Sequence, residues 1–105
     1  IHIAENIQQY IVSLVLATRN PSEYGLKDLA SLINFGASPR ATIFLATASK
    51  SHAFLNKRGF VIPEDVRSVG RSILRHRIIL TYEAEAEEIT TEDIIQRIYE
   101  SVPTP

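Results

Sequence analysis

Arg40 is the first residue whose setting could do chemistry. It follows Gly36-Ala37-Ser38-Pro39, which reads as a turn glycine, a capping serine and a proline at the first helical position, so the arginine falls in the first turn of a helix. A helix start carries unpaired N–H groups and roughly half a positive charge, and it disfavours a cation there by about 0.3–1 kcal/mol at exposed sites. A bound phosphate reverses the sign, because guanidinium, amides and dipole then act on one anion. Two readings stay open on these residues: an arginine extending into water at small cost, or one side of an anion site. Gly36 and Ser38 are explained equally well as turn and cap.

Arg67, Arg71 and Arg75 recur at i, i+4 and i+8, with His76 and Arg77 close behind, and make a basic stripe along one helix. Such a stripe is either a solvated face or a contact for phosphates, and the second reading makes the chain a small helical nucleic-acid-binding module. A net charge of −1 counts against that module, as does the lack of a short helix-turn-helix spacing. His2, His52 and His76 are too scattered to predict a shared metal, and surface or hydrogen-bonded histidines are expected instead.

The composition removes other classes. A chain of 105 residues, 45% hydrophobic, is one domain with a modest core. With no cysteine there is no disulfide framework, thiolate chemistry or cysteine-ligated zinc. No apolar run approaches the roughly 18–20 residues of a membrane span, and the start lacks a signal-peptide layout, so a cytoplasmic protein without a membrane partner is expected. The chain opens on Ile1 and holds no methionine, which suggests a piece of a longer protein.

Helical periods position these residues. Ile3, Ile7, Tyr10, Ile11, Leu14, Val15 and Thr18 predict a first helix ending before Asn20-Pro21. Residues 21–37, with Pro21, Gly25 and Gly36 around Leu26, Leu29 and Ile33, predict a connection containing one or two helical turns. A second helix should run from Ser38-Pro39 to about Arg58-Gly59; its first half is apolar on nearly every side, which predicts the central helix of a bundle. Pro63-Glu64-Asp65-Val66 opens a third, with Val66, Val69, Ile73 and Leu74 inward. Ile78 to Tyr82 reads as a short extended segment, and the acidic alternation after it as a solvated loop. Thr90 and Asp93 form a capping-box pair before a fourth helix with Ile94, Ile95, Ile98 and Val102 inward, ending before Pro103. The expected fold is an all-α bundle of about four helices.

The blocks GASPRA (36–41), VIPEDV (61–66), LRHRIIL (74–80) and TYEAEAEEITTEDII (81–95) resemble, in order and spacing, the C-terminal lid domain of MoxR-type AAA+ ATPases, relatives of the magnesium chelatase ATPase subunit. Ile62 departs from that pattern, standing where a threonine would cap the third helix. The resemblance implies that 1–105 is a lid and that its ATPase core lies outside this stretch. It further implies that GASPRA is the sensor 2 motif, with Arg40 reaching the γ-phosphate of ATP and Gly36, Ala37, Ser38 and Pro39 beside it. Arg67, Arg71, Arg75 and Arg77 become candidates for an interface with a neighbouring subunit of a homo-oligomeric ring. ATP with magnesium would be bound by the parent, and neither is expected on the lid alone, which has no G-x-x-x-x-G-K-[ST] loop and no acidic pair ending a strand. No catalytic residue is therefore expected here. The implied partners are the chain's own N-terminal ATPase domain, neighbouring subunits and a protein carrying a von Willebrand factor A domain. The implied work is chaperone-like remodelling or metal-cofactor insertion.

Overall fold

α1 (Glu5–Arg19) buries more residues than any other helix of the fold. The structure, a computed structural model, describes residues 1–105. Ile7, Tyr10, Ile11, Leu14, Val15 and Thr18 recur at spacings of three and four, and all are buried on one side of α1. Asn20-Pro21 ends the helix and starts the first of two 3-10 turns, Pro21–Tyr24 and Lys27–Leu29. Gly25 between them has φ +72, a left-handed backbone that glycine adopts without strain. The expected helical turns in this connection are present, and a short strand, β1 (Ile33–Phe35), follows them.

α2 (Ala41–Leu55), α3 (Pro63–Arg75), β2 (Ile79–Leu80), α4 (Tyr82–Ala86) and α5 (Thr91–Ser101) complete the chain. β1 and β2 pair antiparallel, Ile33 opposite Leu80 and Phe35 opposite Ile79. The extended segment expected near 78–82 thus exists, narrowed to two residues and held by a partner strand that lay unread in the connection. α3 begins where Pro63 predicts. Asp65 Oδ2 accepts the Ile62 N–H at 2.8 Å, so the carboxylate half of a capping box works although Ile62 has no hydroxyl to supply the other half. α5 carries both halves: the Asp93 N–H donates to Thr90 Oγ1 at 3.2 Å and the Thr90 N–H to Asp93 Oδ2 at 2.9 Å.

Three expectations are corrected. α2 is not the central helix: only Ala41, Leu45, Ser49 and Ala53 are buried, one residue per turn, while Ile43, Phe44, Phe54 and Leu55 stand in solvent. α1 and α3 share the centre, each packing on the other, on α2 and on α5. α2 also stops at Leu55, short of Arg58-Gly59, because Lys57 takes a left-handed φ of 61. The acidic run is not a loop throughout. Thr81 Oγ1 accepts the Ala84 N–H at 3.2 Å and starts α4, whose Ala84 is buried while the glutamates face out.

Candidate functional site

The segment leading to Arg40 is fastened to the end of α1. Thr18 Oγ1 donates to the Val15 carbonyl at 2.6 Å and accepts the Ala37 N–H at 2.9 Å, while Arg19 Nη1 donates to the Ala37 carbonyl at 3.3 Å. Thr18 and Ala37 are buried, so the two bonds of the Thr18 hydroxyl are shielded from competing water. Gly36 lets the backbones meet: a Cβ there would lie 2.3 Å from the Thr18 carbonyl oxygen, a position no side chain can occupy. Gly36→Ala is therefore expected to lower the stability of residues 1–105 by about 1–3 kcal/mol, the usual cost of overpacking. Thermal unfolding checks this, and a loss under about 0.5 kcal/mol, the range of a neutral surface change, would mean the joint is loose.

The helix start differs from the one expected. Ser38 and Pro39 lie in a tight turn before the regular helix, and Arg40 occupies the N-cap position instead of the first turn. The Ala41, Thr42 and Ile43 N–H groups donate to the Ser38, Pro39 and Arg40 carbonyls at 2.9, 3.2 and 3.0 Å. Thr42 Oγ1 donates to the Pro39 carbonyl as well, at 2.7 Å. Pro39, with φ already helical, winds the first turn as a 3-10 turn and ties down amides that an ordinary α-helical start would leave open. The Ser38 hydroxyl caps nothing. What remains for an anion is the Arg40 guanidinium, exposed and in no ion pair with this chain, beside the positive end of the dipole.

The basic stripe is largely engaged. Arg67 and Arg71 sit 5.6 and 5.1 Å from the centroid of the Tyr99 ring, and Tyr99 Oη donates to the Arg67 carbonyl at 2.8 Å. Burial pushes the Tyr99 hydroxyl up to about 12. Arg71 bonds Gln96, and both Arg71 and Arg75 pair with Glu92 of α5. Arg77 leaves this group: beyond the end of α3 it lies 4.5 Å from the Phe44 ring centroid, on α2. Of Arg67, Arg71 and Arg75, Arg67 alone has no polar side-chain partner, and nothing in this arrangement favours the nucleic-acid reading.

The strongest polar cluster escaped the sequence reading. Asp65, fully buried, receives Arg58 Nη1 and Nη2 at 2.6 and 2.7 Å in a two-pronged pair, and His52 Nδ1 lies 2.6 Å from its Oδ1. The Arg58 guanidinium, helped by the Ile62 N–H and His52, holds the Asp65 carboxyl well below the usual carboxylate range. Three elements meet there: the end of α2, the turn after it and the start of α3. In the sequence Asp65 reads only as an acid complementing the helix dipole; its spacing from Arg58 and His52 follows no helical period. His2 is exposed and bridges through its backbone to Gly59 and Val61, and His76 is exposed at the end of α3. The three histidines do not come together.

Residues 27–98 match the family described as AAA lid domain. Chaperone MoxR1 of Mycobacterium tuberculosis is 45% identical over 96 residues, covering 91% of this chain and 26% of the relative. Protein MoxR of Methylorubrum extorquens is 34% identical over 105 residues, covering 94% and 30%. A solved structure from Cytophaga hutchinsonii, described as that of a candidate ATPase, superposes with a TM-score of 0.94 at 51% identity, over 98% of this chain and 31% of that one. The chain thus spans between a quarter and a third of the relatives it matches. Matched to that family over residues 27–98, the chain belongs to the AAA lid domain family.

Proposed function

We propose that residues 1–105 are the lid of a longer ATPase and that Arg40 contributes positive charge to the terminal phosphate of ATP held by the rest of that protein. The observation that carries this reading is the contrast between Arg40 and the loop that bears it. Buried bonds and a glycine joint hold the backbone, yet the guanidinium is free and without a carboxylate partner. Gly36, Ala37, Ser38 and Pro39 serve as the mount. A site held by its scaffold and open at its charge suits electrostatic stabilisation, where the donor must be in place before charge develops.

The fit to the nucleotide is one-sided. Arg40 suits a phosphate, but no three His, Asp or Glu side chains are grouped to hold a cation, so magnesium would be held by residues outside this stretch. ATP supplies the bond that is cleaved; this chain binds one end of it and moves with it. Arg67, with the paired Arg71 and Arg75, and Arg77 beside Phe44, is offered as a contact for a neighbouring subunit in a ring. Through such contacts the nucleotide state would drive chaperone-like remodelling or metal-cofactor insertion in the cytoplasm, beside a von Willebrand factor A domain partner.

The test compares the full-length parent with the isolated lid. The parent should hydrolyse ATP in the presence of magnesium, and purified residues 1–105 should release no phosphate above a buffer blank, because no residue here positions the metal or the attacking water. Phosphate release by the lid that survives repurification would refute this division of labour, as would a parent without ATPase activity.

A further inference from the structure

The acidic run after β2 takes no part in the phosphate contact. Glu83, Glu85, Glu87 and Glu88 stand within six residues of one another, and no lysine or arginine lies between Arg77 and Arg97. All four are exposed and none is in an ion pair. The arrangement does nothing for α4 itself: Glu83 and Glu87 repel at i, i+4, and Glu87 and Glu88 sit at the carbonyl end, where a helix dipole favours a cation. Beside them lies a groove of about 260 Å³ lined by Asn34, Ile79, Leu80, Thr81, Tyr82 and Glu85. Tyr82 is 89% exposed, Ile79 55%, and Phe35, opposite Ile79 across the sheet, 63%. Aromatic and aliphatic surface left open next to unneutralised carboxylates marks a contact.

We infer that this groove between β1, β2 and α4 takes a lysine or arginine side chain from a basic segment of a second polypeptide. A long cationic side chain has an apolar stem and a charged head, and the groove offers a surface to each. The stem lies against Ile79 and Leu80; the head meets the Glu85 carboxylate and the Asn34 amide oxygen, with the Tyr82 ring beside it as a cation–π partner. The volume falls below the about 300–1,000 Å³ of small-molecule pockets, so it suits a single side chain. Charge selects the occupant twice over. Glu83, Glu87 and Glu88, outside the groove, meet further basic residues of the same segment, and they repel the phosphates of a nucleotide. A purely apolar occupant would strip water from Glu85 and give its charge nothing in return. None of these residues belongs to the Arg40 site, so either idea can fail without the other.

Peptide binding to the full-length parent tests this. The probe is a short fluorescein-labelled peptide of alternating lysine and valine, and its counterpart carries glutamate in place of lysine. At about 150 mM salt, where attraction between exposed charges is screened beyond about 8 Å, the lysine peptide should saturate the parent in an anisotropy titration and the glutamate peptide should not bind. Tyr82→Ser, which leaves the charge unchanged, and Glu85→Gln, which leaves the shape unchanged, should each weaken binding at least about fivefold. Both side chains are exposed, so neither change threatens the fold. Glu5→Gln, at the opposite end of α1 from the Gly36 joint, should change the affinity less than about twofold. No saturable binding up to about 1 mM peptide would overturn the proposal, including the case in which a neighbouring copy or the rest of the parent already covers the groove. Equal binding of the glutamate peptide, an affinity that Tyr82→Ser leaves unchanged, or equal losses from Glu5→Gln and Glu85→Gln would overturn it too, because the peptide would then not be reading this groove.

Discussion

Arg40→Ala in the full-length parent is expected to slow ATP hydrolysis about 10- to 1,000-fold, the range seen when one charge-stabilising donor is taken from a transition state. The same change in residues 1–105 should leave stability unchanged or slightly raised. Arg40 makes no ion pair with this chain and is exposed, and its removal takes a cation from the positive end of a helix dipole. The pair of measurements separates two kinds of arginine. A structural one loses stability, with activity falling in proportion; a phosphate contact loses activity with the fold intact. Thermal unfolding of the variant lid showing a loss well beyond about 1 kcal/mol, more than a surface change gives, would remove the physical basis of the assignment.

Asp65→Ala is expected to destabilise the lid by about 3 kcal/mol, the low end of the cost of breaking a buried pair. The low end applies because Arg58 and His52 keep 25% and 33% of their side-chain surface exposed and can take up water once the carboxylate is gone. The variant also loses the bond to the Ile62 N–H that opens α3. A midpoint drop of more than about 10 °C should follow in thermal unfolding of a domain this size. Acid should imitate the mutation. The carboxyl titrates lower in the folded chain than in the unfolded one, so its contribution is complete above the unfolded value near about 4 and is lost as pH falls below it. Wild-type stability should therefore decline steeply below about pH 4, and Asp65→Ala should lack that part of the decline. Parallel acid profiles for the two proteins would show that the cluster does not carry it.

What could be read from the sequence were the features encoded within a few residues of one another. Pro63 with two acids, and Thr90 with Asp93, mark helix starts by local backbone chemistry, and both helices begin there. The inward face of α1 was legible for the same reason, since its period lies within one segment. Features made by residues far apart were not. Ile33 gives no sign that Leu80 will lie opposite it, and Asp65 gives none that Arg58 and His52 will converge on it. The apolar start of α2 misled in a third way: Ile43 and Phe44 have the composition of core residues, and composition does not distinguish a neighbour within the domain from one outside it. At the candidate site the turn and the exposed arginine were legible. The 3-10 winding at Pro39, which ties down the amides, was not.

α2 is pinned at both ends. The joint of Gly36 and Ala37 against Thr18 fixes its head to α1, and the Asp65 cluster fixes its tail to α3. A rod held at both ends against neighbouring helices resists bending more than one held at a single end, and the two clamps lie about 22 Å apart. In mechanical terms α2 is a strut: on the reading proposed above, a load applied at its Arg40 end would pass along it to α3 and turn the lid as one body rather than bend it.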